Sequence, residues 1–263
     1  GLDTTETERA WTWAPGSSSL TTQVGSIVAN IKAAQEVEIR DDDTIVVLST
    51  GLSTVAIQTD PEDDSAWTEV AIKNEGQALS YYSLDTFGDG TYGFGAVPLL
   101  GPAVAGPFVD DSTPFVILAE DTGALLDAHV YSETEIVAVG EGLVDGAMLP
   151  IVWRCSGDPL DATSWSSVRA EFPETIESGQ LRAIDASGDT MIAVGMFSKG
   201  AAEQGAIWVS EDRGATWTFV NTYEEDVNPL DRVQLVDADT AMASGGGQTR
   251  NLNDPGTLVR IKR

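Results

Sequence analysis

One eight-residue segment constrains the fold of this chain more than any other feature. Residues 210–217 read Ser-Glu-Asp-Arg-Gly-Ala-Thr-Trp and lie between two short apolar runs. An aspartate early in the segment can accept hydrogen bonds from its own turn, the glycine supplies a positive φ, and the tryptophan can bury a large ring. The segment therefore predicts a β-hairpin with a tight turn. The residues that define it are Ser210, Asp212, Gly214, Thr216 and Trp217.

The aromatic residue that ends this segment recurs along the chain. Its counterparts follow one another at intervals of roughly 50 residues, which is typical of one blade of a β-propeller. A similar interval leads from the last copy through both termini to the first. The copies are Trp11, Trp67, Phe115, Trp165 and Trp217.

A second repeat runs in phase with the first. Each copy is a polar turn followed by a run of small and β-forming residues, and another short β-like stretch precedes each turn. The turn residues are Thr44, Thr91, Thr134, Thr190 and Thr240. Every unit therefore has four strands, and the chain is predicted to be an all-β, five-bladed propeller with four-stranded blades. Glycines on the pair of strands joined at each threonine turn, such as Gly95 and Gly140, are expected to relieve crowding around a central axis.

The two ends of the chain fit the same pattern. Residues 257–261 form a third strand with no fourth strand after it, and residues 8–13 form a fourth strand with none before it. Pairing of these strands would complete the fifth blade and remove the exposed sheet edges of an open array. Residues 1–263 are therefore predicted to form a single closed domain. A β-sandwich with scattered aromatics is the alternative.

The segment Ser-x-Asp-x-Gly-x-Thr-Trp resembles the Asp box of the bacterial neuraminidase repeat. This resemblance implies a β-propeller, with the five defining residues in a structural role on an outer hairpin. Sialidases that carry Asp boxes add an arginine triad, an early Arg-Ile-Pro motif, and a tyrosine nucleophile paired with glutamate. The chain has no Arg-Ile-Pro, and those propellers have six blades rather than the five counted here.

The charge of the chain is extreme. Its 42 acidic residues outnumber 14 basic ones, giving a net charge of −28. The acids are spread evenly, as in proteins of extreme halophiles, where molar salt shortens the Debye length to about 3 Å. An ordinary acidic protein is the alternative. No basic stripe could neutralise phosphates, so nucleic acid is not an expected partner. No apolar run reaches the roughly 18 residues of a membrane span, and no signal peptide is visible. The expected location is a high-salt cytoplasm, a virion or a cell surface.

The sequence shows few candidates for catalysis. His129 is the only histidine and Cys155 the only cysteine, so paired metal ligands of these types are excluded. The acidic turns lack the spacing of known calcium loops. No catalytic residue, metal or cofactor is therefore predicted, and the chain is expected not to be an enzyme.

Two sets of residues are candidate binding sites. Arg182 and Arg232 each lie eight residues before a turn threonine, and Arg250 follows on a nearby loop. They could bind a carboxylate or sulfate, or they could be paired with the acids of the chain itself. The second set belongs to two apolar stretches, at 96–109 and 142–150, which could bind a partner or fold inward and plug the channel. Its residues are Leu99, Leu100, Val104, Leu143 and Met148.

These features favour a non-enzymatic propeller that works as an interaction or assembly module. Its expected partner is a protein, either further copies of the chain or a larger assembly, in a virion or on the surface of a halophile. A glycan-binding lectin or a sialidase-like glycoside hydrolase is the alternative. That function would require arginines and carboxylates to converge near the propeller axis.

Overall fold

The computed structural model describes the chain in fifteen segments. They are residues 10–12, 21–23, 34–49, 54–58, 67–71, 73–74, 77–97, 101–108, 116–118, 123–170, 176–200, 202–220, 227–237, 239–246 and 257–262. Within these segments the chain is all-β, apart from one 3-10 helix at Ala162–Ser164. This confirms the all-β part of the predicted fold class.

The strands form antiparallel sheets that follow one another along the sequence. A small sheet joins β1 (Ala10–Thr12) and β2 (Thr21–Gln23). Sheet 1 contains β3 (Ala34–Ile39), β4 (Ile45–Ser49), β5 (Thr54–Gln58) and β6 (Trp67–Ala71). A second small sheet joins β7 (Lys73–Asn74) and β8 (Gln77–Ala78). Sheet 2 contains β9 (Ser80–Phe87), β10 (Gly90–Ala96), β11 (Ala103–Phe108) and β12 (Val116–Ile117).

The remaining three sheets continue the same order. Sheet 3 contains β13 (Gly123–Ser132), β14 (Glu135–Val144), β15 (Ala147–Ser156) and β16 (Trp165–Arg169). Sheet 4 contains β17 (Ser178–Ser187), β18 (Thr190–Lys199), β19 (Ala202–Ser210) and β20 (Thr218–Val220). Sheet 5 contains β21 (Leu230–Asp237), β22 (Thr240–Gly245) and β23 (Thr257–Lys262). The prediction of four-stranded units is thus confirmed for sheets 1 to 4.

The hydrophobic core lies between neighbouring sheets. The first strands of successive sheets contact one another in chain order, from β3 through β9, β13 and β17 to β21. The second strands of sheets 1 to 4 are buried on both faces, which explains their nearly continuous apolar sequence. In β14, for example, Ile136 and Ala138 pack toward sheet 2, whereas Val137 and Val139 pack toward sheet 4. We call the first strands of sheets 1 to 5 the inner strands. Their contacts in chain order show that they lie side by side.

Every inner strand carries a β-bulge at the same place. The extra residue in the strand is Gln35, Tyr82, Leu126, Arg182 or Asp231. The bulge brings the inner-strand backbone close to the second strand, where a Cβ would overlap a carbonyl oxygen. Glycine occupies this position in sheets 2 to 5, as Gly95, Gly140, Gly195 and Gly245. These glycines therefore accommodate the bulge, which is a different cause from the predicted crowding around an axis.

The predicted pairing of the two chain ends is wrong in the described residues. β1 pairs with β2 in its own small sheet, and sheet 5 has three strands with β23 at its edge. A short connection separates β1 from β2, so their pairing costs less loop-closure entropy than pairing with the far end of the chain. The closed five-bladed ring remains a prediction.

The turn between β19 and β20 has the predicted geometry. Asp212 Oδ1 accepts a hydrogen bond from the Thr216 amide at 2.8 Å, and its Oδ2 accepts one from Thr216 Oγ1 at 2.7 Å. Gly214 has a φ of 77°. The Trp217 indole donates to the Gly214 carbonyl at 3.0 Å, but this ring is only half-buried, and the fully buried tryptophan of sheet 4 is Trp208. The turn is confirmed, whereas the family resemblance remains a prediction.

Candidate functional site

The inner strands surround a cavity of about 490 Å³, which we call the axial cavity. Because side chains alternate along a strand, each inner strand presents the residue after its bulge and the residue two places later. The first level consists of Glu36, Asp127, Ala183 and Arg232. The second level consists of Glu38, Asp85, His129, Asp185 and Gln234. Met242, Ser244 and Leu258 of sheet 5 also line the cavity.

Four of the cavity carboxylates connect one inner strand to the next. The Leu84 amide donates to Glu36 at 2.5 Å, and the amides of Val130, Ile184 and Leu235 donate to Asp85, Asp127 and Asp185 at 2.6, 2.9 and 2.6 Å. An inner strand is the edge of its sheet, so these amides face away from the sheet ladder. The carboxylates satisfy them and thereby join sheets 1 to 5 in succession.

Asp85, Asp127 and Asp185 each accept a further hydrogen bond from the backbone of their own strand. The amide of the following residue donates to the other carboxylate oxygen, from Thr86 to Asp85 at 2.8 Å and from Ala186 to Asp185 at 2.8 Å. Asp127 accepts from the Ala128 amide at 2.9 Å and from Ser83 Oγ at 2.8 Å. These side chains are therefore fixed before any ligand arrives.

Glu38 differs from the other cavity acids. No described residue donates a hydrogen bond to its carboxyl group, although the side chain lines the cavity and is partly buried. Burial, together with the negative charges of Asp85, Glu36 and Asp127, raises the pKa of Glu38 to about 8. Glu38 is therefore mostly protonated at neutral pH.

The neighbouring carboxyls titrate at lower pH. Burial raises the pKa of Asp85 to about 7, against the opposing effect of its two amide donors. Burial also raises the pKa of Glu36 to about 7, helped by the charge of Asp127. The pKa of Asp127 rises to about 6, again through burial. Around neutral pH the cavity thus contains both protonated and ionised carboxyl groups.

The single histidine also lines the cavity. Burial lowers the pKa of His129, so the ring is neutral at pH 7. Its Nδ1 lies 4.0 Å from Asp85 Oδ2, and the ring meets Tyr131 edge-on with centroids 4.6 Å apart. The sequence did not place this residue in a site, because a lone histidine on a strand is usually a packing residue.

The arginines predicted to bind an anion are not all in the cavity. Arg232 lines it and donates to the Asp231 carbonyl at 3.1 Å. Arg182 instead pairs with the Asp231 carboxylate at 2.5 Å and is not among the lining residues. The two positions differ because β21 has a second bulge, at Val236, which shifts its register by one residue. Arg250 lies outside the described residues, and the anion-binding role of the three arginines remains a prediction.

The predicted docking residues have different surroundings. Val104 is a core residue, since it lies in β11 and is fully buried between sheets 1 and 2. Its inclusion in an exposed contact is therefore wrong. Leu143 is 42% exposed and faces Met148 across the β14–β15 hairpin. Leu99 and Leu100 lie outside the described residues. A docking role for Leu143 and Met148 remains a prediction.

Sequence reasoning missed the five acids of the cavity, although two weak signals were present. Glu36 and Glu38 alternate with apolar residues, which is typical of a strand with one polar face. Asp85 and Asp185 both lie three residues before a turn glycine, Gly88 or Gly188. In a chain with 42 acidic residues these positions did not stand out.

Two observations hold for the part of the chain that the structure describes. There, no group of three or more histidine, cysteine or acidic side chains is arranged to hold a metal ion. In the same residues, no helix is both long and apolar enough to cross a membrane.

Comparisons with known proteins give matches only among solved structures. No family model matches the chain, and no curated protein matches it. A structure of YCF48 bound to a D1 peptide is 13% identical, with a TM-score of 0.39, over 93% of this chain and 82% of that one. A polysaccharide lyase, the PL25 ulvan lyase, is 11% identical, with a TM-score of 0.49, over 86% and 66%. A thermostable family-43 glycoside hydrolase is 12% identical, with a TM-score of 0.49, over 86% and 87%.

The expectation that the chain is not an enzyme is contradicted by these findings. A polysaccharide lyase and a glycoside hydrolase are among the structures similar to it. The expectation also rested on the lack of any catalytic constellation in the sequence. The structure instead brings five carboxyl groups, a histidine and an arginine to one cavity.

Proposed function

We propose that the chain is a glycan-active protein whose axial cavity binds a saccharide and hydrolyses a glycosidic bond. One observation carries this proposal: Glu38, a carboxyl without a hydrogen-bond donor among the described residues, lines a cavity that also contains ionised carboxylates. Its pKa of about 8 keeps it protonated at neutral pH. A carboxyl in this state can act as a general acid.

Glycoside hydrolysis usually needs a pair of carboxyl groups in different protonation states. Glu38 would give its proton to the glycosidic oxygen as the bond to the anomeric carbon breaks. Asp85 is its best partner, because the negative charge of Asp85 acts on Glu38 and two backbone amides hold the Asp85 carboxylate in place. Ionised Asp85 would activate the water that attacks the anomeric carbon, or attack that carbon itself.

The remaining lining suits a sugar. A volume of about 490 Å³ lies within the usual range for small-ligand sites, roughly 300–1,000 Å³. Gln234 and Ser244 offer groups that can hydrogen-bond hydroxyls, and Met242 and Leu258 offer apolar surface for the C–H face of a ring. Leu258 is 69% exposed, so this wall is accessible to a ligand.

A five-bladed propeller is the architecture that best fits these observations. Four apolar clusters pack sheet 1 on sheet 2 and so on to sheet 5, and the inner strands contact one another in the same order. Such a ring places the inner strands around one axis. The acidic composition supports work at high salt, in the cytoplasm of a halophile or on a virion or cell surface.

The decisive experiment compares the unmodified chain with Glu38→Gln on a panel of oligosaccharides and aryl glycosides. Loss of a general acid is expected to slow hydrolysis of an unactivated glycoside by about 10²- to 10⁴-fold. A glycoside with an acidic phenol as leaving group should be affected much less, since that group needs little protonation. Glu203→Gln is the matched control, because this exposed glutamate lies on β19, away from the cavity lining.

Two results would contradict the proposal. One is the absence of both binding and hydrolysis across the panel by the folded chain. The other is an equal effect of Glu38→Gln on both classes of leaving group, which would assign Glu38 a role other than proton donation.

Contact with a protein partner is a second, independent proposal, supported by the exposed Leu143 of the β14–β15 hairpin. Leu143 and the partly exposed Met148 would form its centre. Substitution of Leu143 by Asp should leave the melting temperature nearly unchanged and reduce self-association or partner binding. Unchanged association in sedimentation experiments would count against this contact.

A further inference from the structure

Charge is distributed unevenly around the axial cavity. Five carboxyl groups line it, from four of the five inner strands: Glu36, Glu38, Asp85, Asp127 and Asp185. The fifth inner strand contributes one guanidinium, that of Arg232. His129 also lines the cavity and could carry a positive charge, but it is neutral at pH 7 because burial lowers its pKa.

Arg182 does not compensate this excess. Arg182 pairs with the carboxylate of Asp231 and is not part of the cavity lining. Among the described residues, the lining therefore offers fewer positive than negative groups. The carboxyls respond by holding protons: burial and mutual repulsion raise the pKa values of Glu38, Glu36 and Asp85.

A ligand entering this cavity changes the balance according to its own charge. A ligand ammonium would attract the carboxylates and relieve their repulsion, whereas a ligand carboxylate or sulfate would add to it. The ionised carboxylates of the lining, such as that of Asp127, would attract the ammonium. Glu38 is mostly protonated at neutral pH and would offer its carbonyl oxygen as a hydrogen-bond acceptor. Gln234 and Ser244 remain for the neutral hydroxyls of a sugar.

We propose that the glycan bound in the axial cavity carries free amines, as an oligosaccharide of deacetylated hexosamine does. This inference rests on the proposed function, because it names the substrate class of the same cavity. The amine distinguishes this class from its N-acetylated counterpart, which has the same ring but no charge. It also distinguishes it from acidic sugars.

The test is titration calorimetry of the full chain with three tetrasaccharides, at pH 7 and at the lowest KCl concentration at which the chain stays folded. The probes are a glucosamine tetramer, the N-acetylglucosamine tetramer and a galacturonate tetramer. We expect the amine tetramer to bind at least tenfold more tightly than the acetylated one, and the galacturonate tetramer not to bind. This comparison uses the unmodified chain, so it does not depend on whether a variant folds.

A variant then tests the role of the charge. Asp85→Asn keeps the size of the side chain, removes a charge from the lining, and is expected to reduce the preference for the amine at least threefold, whereas Glu203→Gln should preserve it. Equal or tighter binding of the acetylated tetramer would overturn the inference and leave the proposed function intact. Tightest binding of the galacturonate tetramer would overturn it in favour of anion binding at Arg232. Binding of none of the three by the folded chain would refute the proposed function together with the inference.

Discussion

Substitution of Glu38 by Gln should stabilise the chain at alkaline pH and leave its stability in acid nearly unchanged. The pKa of this carboxyl is about 8 in the folded chain against an ordinary value of 4.5. A group whose pKa is raised by folding contributes stability below its unfolded pKa, and that stability is lost as pH rises through the folded value. Glu38 therefore weakens the fold progressively from about pH 4.5 to pH 8, and glutamine at this position removes the effect.

The size of the effect follows from the two pKa values. The difference between 4.5 and about 8 corresponds to about 5 kcal/mol, at 1.36 kcal/mol for each pKa unit. The side chain is only partly buried, so solvent screening reduces this to about 2 kcal/mol. For a chain of this size, 2 kcal/mol changes the melting temperature by about 4–8 °C.

Thermal melts followed by circular dichroism at pH 4 and pH 9, in the same molar KCl, measure this directly. The melting temperature of Glu38→Gln should exceed that of the unmodified chain at pH 9 and match it within about 2 °C at pH 4. Glu203→Gln removes a glutamate from an exposed position and controls for net charge. An equal rise in melting temperature at both pH values, or a fall at pH 9, would refute the conclusion that burial and neighbouring negative charges disfavour ionised Glu38.

Four further results are expected. Hydrolysis should depend on pH as a bell, rising through about pH 7 as Asp85 ionises and falling above about pH 8 as Glu38 loses its proton; a maximum below pH 6 would contradict these roles. Gly140→Ala should cost about 1–3 kcal/mol in chemical denaturation, because its Cβ would overlap the Ala124 carbonyl, whereas Gly142→Ala on the same strand meets nothing closer than 3.5 Å and should be nearly neutral. Trp217→Ala should cost about 2 kcal/mol, less than the ~3–5 kcal/mol for a fully buried tryptophan, and Asp212→Ala about 1 kcal/mol through lost turn hydrogen bonds; loss of binding without loss of stability would make the turn functional. The melting temperature should rise steeply from 0.1 M to molar KCl as repulsion between acids is screened, and a flat series would contradict adaptation to salt.

The repeating architecture could be predicted from sequence because it depends on local chemistry. The Asp212 turn needs only its own eight residues, and the pairing of each inner strand with the next strand depends on a turn between neighbours. These contacts are short in sequence, so composition and spacing were enough to predict sheets 1 to 4. The closing pair was wrong because pairing of distant strands depends on loop-closure entropy and competing local pairs, which spacing does not report.

The candidate site depended on tertiary structure. Glu36, Glu38, Asp85, Asp127 and Asp185 come from four strands that are far apart in sequence, and only the packing of successive sheets brings them to one cavity. The bulges decided which side chains face that cavity, since a shift of one residue turns a strand's side chains to the other face. This shift separates Arg182 from Arg232, whose spacing from their turns is the same in the sequence. The sequence determined the strands and their turns because these are local. Burial, which raises the pKa of Glu38 above those of Glu36, Asp85 and Asp127, exists only once the sheets have packed.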